Sequence, residues 1–179
     1  LERQVTEAIR EFGMAGGRLR IVIEASEPGP GGIDRVEFLV AGHAGVEPRP
    51  IGRVASGGEL SRVALGIAVS AAEANPVPTL IFDEADAGVG GAVAEAIGAR
   101  MRALGESRQV LCVTHLPQVA ARAHHQYRVS KSTRAATTTS RIGKVEGDER
   151  VDEIARMLGG AKLTGAGREH ARELLAGRA

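Results

Sequence analysis

The sequence predicts an α/β fold, in which a mostly parallel sheet is flanked by helices and an antiparallel hairpin precedes it. Apolar and polar residues alternate over 19–25 and again over 36–40, which is typical of two paired antiparallel strands. Continuous apolar runs at 79–82 and 109–113 alternate with helical patterns instead. That second arrangement is typical of βαβ units, whose strands lie parallel and are buried on both faces.

Composition limits the class of protein before any motif is considered. The 179 residues are enough for one domain with a sizeable core, and 43% apolar with 25% charged residues is ordinary for a globular chain. A net charge of +1 gives no general argument for nucleic acid or membrane binding. The sequence contains neither a signal peptide nor an apolar stretch of about 20 residues, so we expect a cytoplasmic protein. The single cysteine, Cys112, lies in an apolar run and is predicted to be an inert core residue.

The N-terminus begins inside a helical pattern. Leu1, Val5, Ile9 and Phe12 recur every three to four residues, and Gly13 ends the pattern. Because there is no initiator Met and residue 1 already lies on this seam, we expect the chain to be part of a longer protein.

The remaining elements follow from periodicity and from the positions of Gly and Pro. In order, the sequence predicts a loop at 28–32, a loop over 42–55, a helix over 59–74, a strand at 79–82, a helix over 92–104, a strand at 109–113, a short helix over 117–122, a strand near 127–130, and helices over 148–158 and 166–176. The Thr- and Ala-rich residues 133–141 receive no assignment.

Acidic residues follow one predicted strand, and a Thr-His pair follows the next. Asp83 and Glu84 come directly after the run 79–82, and Thr114 and His115 after the run 109–113. The ends of parallel strands meet at one edge of the sheet, where ligands bind. There one carboxylate could face Mg²⁺ through water while the other orients an attacking water, as phosphoryl transfer requires. A strand-end turn with two solvated acids explains the pair equally well when it is considered alone.

A glycine pair precedes the predicted helix at 59–74. In the motif Ser56-Gly57-Gly58-Glu59, the missing Cβ atoms let backbone N–H groups approach an anion, and the helix N-terminus favours negative charge. Ser56 could cap the helix and bind a phosphate oxygen. An ordinary helix cap is the simpler explanation of this motif by itself. A G-x-x-x-x-G-K-[ST] phosphate loop is absent from the sequence.

Two further sets of residues have functional and plain structural explanations. His115 could contact a γ-phosphate, or it could be a strand-end histidine without a role. A metal site built from Cys112, His115, His124 and His125 has a spacing that fits no established zinc pattern.

The segment 122–144 holds six Lys or Arg residues and no Asp or Glu. It is either a nucleic-acid face or a solvated surface rich in arginine. The candidate DNA-binding residues are Arg122, Arg128, Lys131 and Arg134.

Together, these motifs resemble the order found in ABC-type ATPases. The strings SGGEL, LIFDE and VTH correspond to the signature, the Walker B strand and the histidine switch, and Asp86 matches the D-loop position. More narrowly, FDEADAGVGG, VTHLPQVAA and ARMLGG resemble the C-terminal part of the RecN family, bacterial DNA-repair ATPases related to structural-maintenance-of-chromosomes (SMC) proteins. The residue before Ser56 is Ala55, where Leu or Phe is more usual, and the Walker A and Q-loop motifs are missing.

The resemblance implies a fold and a set of partners. Residues 1–13 would be the end of a returning coiled-coil helix, and 14–179 the C-terminal half, or lobe, of an ATPase head. Such a head binds ATP and Mg²⁺, pairs with the N-terminal half of the same protein, forms a homodimer through ATP-bound heads, and acts on DNA at the nucleoid.

The resemblance also implies roles for individual residues. Asp83 would hold Mg²⁺ through water, and Glu84 and His115 would be catalytic, at the attacking water and the γ-phosphate. Asp86 would lie at the dimer interface. The residues that would contact nucleotide held by the other protomer are Ser56, Gly57, Gly58 and Glu59.

The function that the resemblance implies is ATP hydrolysis in double-strand break repair and recombination, through ATP-driven head dimerisation. We expect no ATPase activity from this chain alone, since the phosphate loop supplies most of the grip on the phosphates. Three alternatives stay open: an ATP-gated DNA-tethering module with little turnover, a DEAD-box helicase fragment suggested by residues 83–86, and a plain substrate-binding α/β domain. The strand after 83–86 ends in Val-Thr-His, where a helicase would have Ser-Ala-Thr.

Overall fold

The computed structural model describes residues 1–53, 57–72, 77–83, 86, 88–134, 137–159 and 163–177. The elements are, in chain order, α1 (Glu2–Glu11), β1 (Arg18–Gly29), β2 (Gly32–Ala41), β3 (Arg49–Pro50), a 3₁₀ turn (Ile51–Arg53), α2 (Gly57–Ala72), β4 (Thr79–Asp83), α3 (Gly91–Gly105), β5 (Gln109–Val113), α4 (Pro117–Arg122), β6 (Gln126–Arg134), β7 (Thr137–Val145), α5 (Gly147–Gly159) and α6 (Gly165–Leu175). The predicted α/β class is confirmed.

The N-terminal helix and hairpin share one core. Val5 and Ile9 of α1 are fully buried and pack against side chains of β1, β2 and α2, as the helical seam predicts. Gly13 ends the helix with φ +85°, a conformation that side chains with a Cβ rarely adopt. The predicted loop at 28–32 is wrong in extent: β1 and β2 continue to Gly29 and Gly32, with an irregular register beyond Ala25.

The central part of the chain is a parallel strand pair connected by α3. β4 and β5 pair with Phe82 opposite Cys112. One face of the pair packs into a core that includes Phe82, Ile97 and Val119, and Phe12 at the end of α1 joins the same core. The core therefore connects the N-terminal helix with the strand pair.

The other face of the strand pair is open, which corrects the prediction of fully buried strands. Ile81, Leu111 and Val113 are 69%, 47% and 61% exposed, although all three are large apolar residues. A continuous apolar run indicates that both faces are suited to burial. The described part of this chain covers only one of them.

The C-terminal part contains a second hairpin and a pair of helices. β6 and β7 pair antiparallel along their whole length, so β7 and the outer half of β6 are strands that the sequence left unassigned. Helices α5 and α6 match the prediction and bury Ile154 and Ala171 against Ala120 and Ala121 of α4. Within the described ranges, the structure contains no helix that is both long and apolar enough to cross a bilayer.

Candidate active site

The two predicted strand-end motifs lie at one edge of the sheet. In the parallel register Asp83 is opposite Val113, so Thr114 and His115 leave β5 where Asp83 leaves β4. The Asp83 carboxylate is exposed. Glu84 lies outside the described residues, so its predicted role stays a prediction.

A buried carboxylate connects the two strand ends. Asp86, which follows β4, is only 1% exposed, and its Oδ2 accepts a hydrogen bond from the Thr114 hydroxyl. The same hydroxyl accepts a hydrogen bond from the Leu116 backbone N–H at 3.0 Å. Thr114 therefore fixes the turn between β5 and α4 to the segment that follows β4. Sequence reasoning gave Thr114 no role, because its partner is distant in sequence.

The second oxygen of this carboxylate faces the predicted switch histidine. Asp86 Oδ1 is buried without a hydrogen-bond partner among the described residues, and the His115 Nδ1 atom lies 3.7 Å away. The His115 side chain is 70% exposed, so the rest of its ring faces solvent. The predicted role of Asp86 at a dimer interface stays a prediction, and within this chain its side chain points inward.

The thiol beneath this edge has the properties of an interior cysteine. Burial, together with the smaller effect of the negative charges of Asp86 and Asp83, raises the pKa of Cys112 to about 11. A thiol with so high a pKa is a poor nucleophile and a poor metal ligand. His124, another member of the alternative zinc set, lies 3.1 Å from Glu106 instead. Among the described residues, no three His, Cys, Asp or Glu side chains are grouped closely enough to hold a metal ion.

The glycine motif starts helix α2. Gly57 is its first residue, and its carbonyl accepts a hydrogen bond from the Ser61 hydroxyl at 2.9 Å. A Cβ at Gly57 would meet no described atom within 4 Å, so packing within the chain does not require glycine there. Ser56 lies outside the described residues, and only the backbone of Gly58, which is helical, is described.

Glu59, the last residue of the motif, contacts the N-terminal hairpin. One of its carboxylate oxygens lies 3.5 Å from the His43 Nε2 atom, and its side chain is mostly buried. A Cβ at Gly42 would approach the same oxygen to 2.8 Å. Glu59 therefore joins the start of α2 to the hairpin, and its predicted contact with nucleotide stays a prediction.

The candidate DNA-binding residues lie on two different elements. Arg128 and Lys131 are on β6, whereas Arg122 ends α4 and its carbonyl accepts a hydrogen bond from Arg102 at 2.8 Å. The side chain of Arg134 is outside the described residues. The structure therefore does not place the four residues on one element.

Ion pairs reduce the positive charge at the base of the β6–β7 hairpin. Arg128 lies 4.0 Å from Glu153, and Lys144 lies 2.5 Å from Glu146, whose hydrogen bond raises the lysine pKa. Lys131 is exposed and has no ion pair within the described part of the chain. Among the members of the predicted set whose side chains are described, it is the exposed lysine without an ion pair.

Comparison with curated proteins gives consistent relatives, whereas no family model matches. The chain is 52% identical over 167 residues to the DNA repair protein RecN of Xylella fastidiosa, 48% over 170 residues to that of Deinococcus radiodurans, and 43% over 177 residues to that of Vibrio cholerae. These alignments cover 92%, 94% and 98% of this chain but only 30%, 30% and 32% of the relatives. The chain thus spans about a third of their length, and the resemblance to RecN is confirmed.

Solved structures identify the fold. The chain matches the Smc head domain with a coiled coil and joint from Pyrococcus yayanosii with a TM-score of 0.66 and 22% identity, over 86% of this chain and 28% of the other. It also matches a structure from work on ATP-driven dimerization and DNA-stimulated activation of SMC ATPases, with a TM-score of 0.61 and 20% identity, over 90% of this chain and 92% of the other. The chain therefore has the fold of an SMC ATPase head.

Proposed function

We propose that this chain, a relative of the RecN proteins, is the C-terminal half of an ATP-binding and ATP-hydrolysing head that acts in DNA repair. The observation that carries the proposal is the arrangement of Asp83 and His115 at one edge of a parallel strand pair within an SMC-head fold. ATP and Mg²⁺ are the cofactors that this arrangement suits, since an exposed carboxylate at a strand end can hold a cation that keeps most of its waters. Glu84 orients the attacking water, and His115 contacts the γ-phosphate.

The glycine motif serves the nucleotide of a second head. Gly57 has open space around its Cα atom and stands at a helix N-terminus, where backbone N–H groups attract anions. Ser56, Gly57, Gly58 and Glu59 contact the γ-phosphate across a homodimer. ATP binding then brings two heads together, with Asp86 near their interface.

The open face of the strand pair supports a docking site for the other half of the head. Parallel sheets are normally covered on both faces, yet Ile81, Leu111 and Val113 are exposed on one face of this pair. We assign that face to the N-terminal half of the same protein, which carries the phosphate loop. Residues 1–13 are then the end of the returning coiled coil, and 14–179 form the C-terminal half of the head.

Hydrolysis assays on this chain and on the complete protein test the assignment. We expect no turnover from the chain alone and restored turnover when the N-terminal half is supplied. In the complete protein, Glu84→Gln preserves ATP binding and head pairing and abolishes hydrolysis. The control Glu169→Gln, on the exposed face of α6, leaves binding, pairing and hydrolysis unchanged. Robust turnover by the chain alone, unaffected by Glu84→Gln, would sink the assignment. End joining measured beside single-turnover hydrolysis separates repair by turnover from ATP-gated tethering.

DNA binding is assigned to the outer part of the β6–β7 hairpin, and the protein acts in the cytoplasm, at the nucleoid. Lys131→Glu is expected to weaken DNA binding and to flatten its salt dependence, because one phosphate contact is lost. Reversal of Arg128 is a poorer test, because Arg128 lies beside the buried Glu153. Arg3→Glu on α1 is the matched control, and equal DNA affinity of both variants and the wild type removes the hairpin as a DNA contact.

A further inference from the structure

The contacts of Asp86 give it a role that no sequence motif assigns. Its carboxylate is buried between the two strand ends, with one oxygen bound to the Thr114 hydroxyl and the other facing the His115 ring. We propose that Asp86 is a positioning residue, which orients the His115 imidazole with Nδ1 toward the carboxylate and Nε2 toward the ligand. The identity of that ligand as a γ-phosphate rests on the proposed function, whereas the orientation of the ring does not.

One oxygen of Asp86 is bonded to the turn that carries His115. The Thr114 hydroxyl donates to Asp86 and accepts from the Leu116 N–H, so both of its polar functions are used. Because these bonds flank His115 on the chain, they fix the direction in which its Cα–Cβ bond leaves the turn. Asp86 thus fixes the position from which the His115 side chain extends.

The other oxygen of the Asp86 carboxylate has no hydrogen-bond donor among the described residues. A buried carboxylate oxygen without a donor is costly, and His115 Nδ1 lies 3.7 Å from it, just beyond hydrogen-bond range. A small rotation of the exposed ring brings Nδ1–H onto Oδ1. That hydrogen bond requires the proton to be on Nδ1, and it therefore selects one tautomer of the neutral ring.

The selected orientation suits a residue that responds to an anion. With Nδ1–H held by Asp86, Nε2 faces outward as the atom that gains or loses the exchangeable proton. When it is protonated, Nε2–H donates to an anionic oxygen, and the carboxylate balances the charge of the ring. Carboxylate partners orient histidine rings in this manner in many metal and catalytic sites.

The tautomer of His115 tests the proposal directly. In the complete protein labelled with ¹⁵N-histidine, at a pH where the ring carries a single proton, we expect the His115 proton on Nδ1. His115→Gln assigns the signals. Asp86→Asn keeps the shape of the side chain but presents an amide N–H to Nδ1, so the proton should move to Nε2. Thr114→Ser, which keeps the hydroxyl, is the control and should leave the tautomer unchanged.

Either of two results would overturn the proposal: a wild-type proton on Nε2, or a tautomer that Asp86→Asn does not change. Thermal unfolding of each variant, measured in parallel, shows that the spectra come from folded protein. If Asp86→Asn does not fold, the wild-type tautomer alone still decides the outcome.

Kinetics in the complete protein show whether Asp86 acts through His115. Asp86→Asn is expected to lower kcat for ATP by about tenfold with little change in KM, a loss typical of an orienting partner. In a His115→Ala background the same substitution should change kcat by less than about twofold. Equal losses in both backgrounds would contradict action through His115. If His115→Ala leaves hydrolysis unchanged while the tautomer is as expected, the proposed function fails and the positioning role stands.

Discussion

The C-terminal helices and the parallel strand pair differ in how completely they bury their apolar side chains. Ile154 of α5 and Ala171 of α6 are fully buried within the chain, whereas Ile81 of β4 is 69% exposed. The side chains at all three positions are apolar. The helices bury their apolar side chains in a core that they share with α4, whereas the described part of the chain leaves one face of the strand pair uncovered.

Buried polar groups follow the same division. At the C-terminal end, Arg150 donates hydrogen bonds to the carbonyls of Ala120, Ala121 and Ala123 at the end of α4, where helix carbonyls lack intrahelical donors. At the strand ends, one oxygen of Asp86 has no donor among the described residues. The two regions therefore differ in how the described residues pair their buried polar groups.

The largest expected effect is on the self-contained core. Ile154→Ala should lower the free energy of unfolding by about 2–5 kcal/mol, because the removed methyl and methylene groups leave a cavity at a fully buried site. Ile81→Ala should change it by less than about 0.5 kcal/mol, since most of that side chain is already in water. Chemical denaturation of both variants measures the difference, and similar losses would contradict the division between the two regions.

A smaller effect is expected at the cap of α4. Arg150→Ala should cost about 1–3 kcal/mol of unfolding free energy, because three partly buried carbonyls and the Gln126 side chain lose a shared donor. Burial lowers the pKa of Arg150, and the charge of Arg102 lowers it further, so part of the bonding energy offsets desolvation. Arg150→Lys should recover only part of the loss, since an ammonium cannot reproduce the fork.

The matched control for Arg150 is an arginine in an exposed ion pair. Arg168 binds Asp152 through two hydrogen bonds, yet both side chains are partly in solvent. Arg168→Ala should therefore lower the free energy of unfolding much less than Arg150→Ala does. If denaturation gives it the same cost as Arg150→Ala, the capping explanation is wrong.

Local patterns were sufficient to predict the helices. The seam of α1, the apolar positions of α2, and the paired helices α5 and α6 all follow from a helical period. The apolar runs of β4 and β5 predicted the two strands, and their alternation with helices predicted that the strands end at one edge. Their open face could not be predicted, because burial depends on what packs against a strand and not on its own composition.

Non-local contacts account for what the sequence did not predict. Asp86 and Thr114 are joined by the parallel register of β4 with β5, and no fixed spacing indicates such a contact. The β6–β7 hairpin was half missed because its Thr-rich second strand has no apolar alternation, and pairing with β6 defines it. The predicted grouping of Asp83 with His115 succeeded because strand order alone places them at one edge.

Thiols on the two faces of β5 are expected to differ little in their effect on stability and strongly in their rate of alkylation. At about pH 8 an alkylating reagent should modify Cys112 roughly a hundredfold more slowly than Val113→Cys in a Cys112→Ser background, since only the thiolate reacts. Burial on the packed face raises the pKa of Cys112 to about 11, whereas Val113 is on the open face.

The raised pKa also fixes the direction of the pH dependence. The folded chain disfavours the thiolate, so the stability contributed by Cys112 is present below the ordinary pKa of 9.0 and is lost as the pH rises toward 11.

Adding the N-terminal half should slow modification of Val113→Cys and leave the slow rate at Cys112 unchanged. Protection of both thiols, or of neither, would mean that the open face of the strand pair is not where the other half docks.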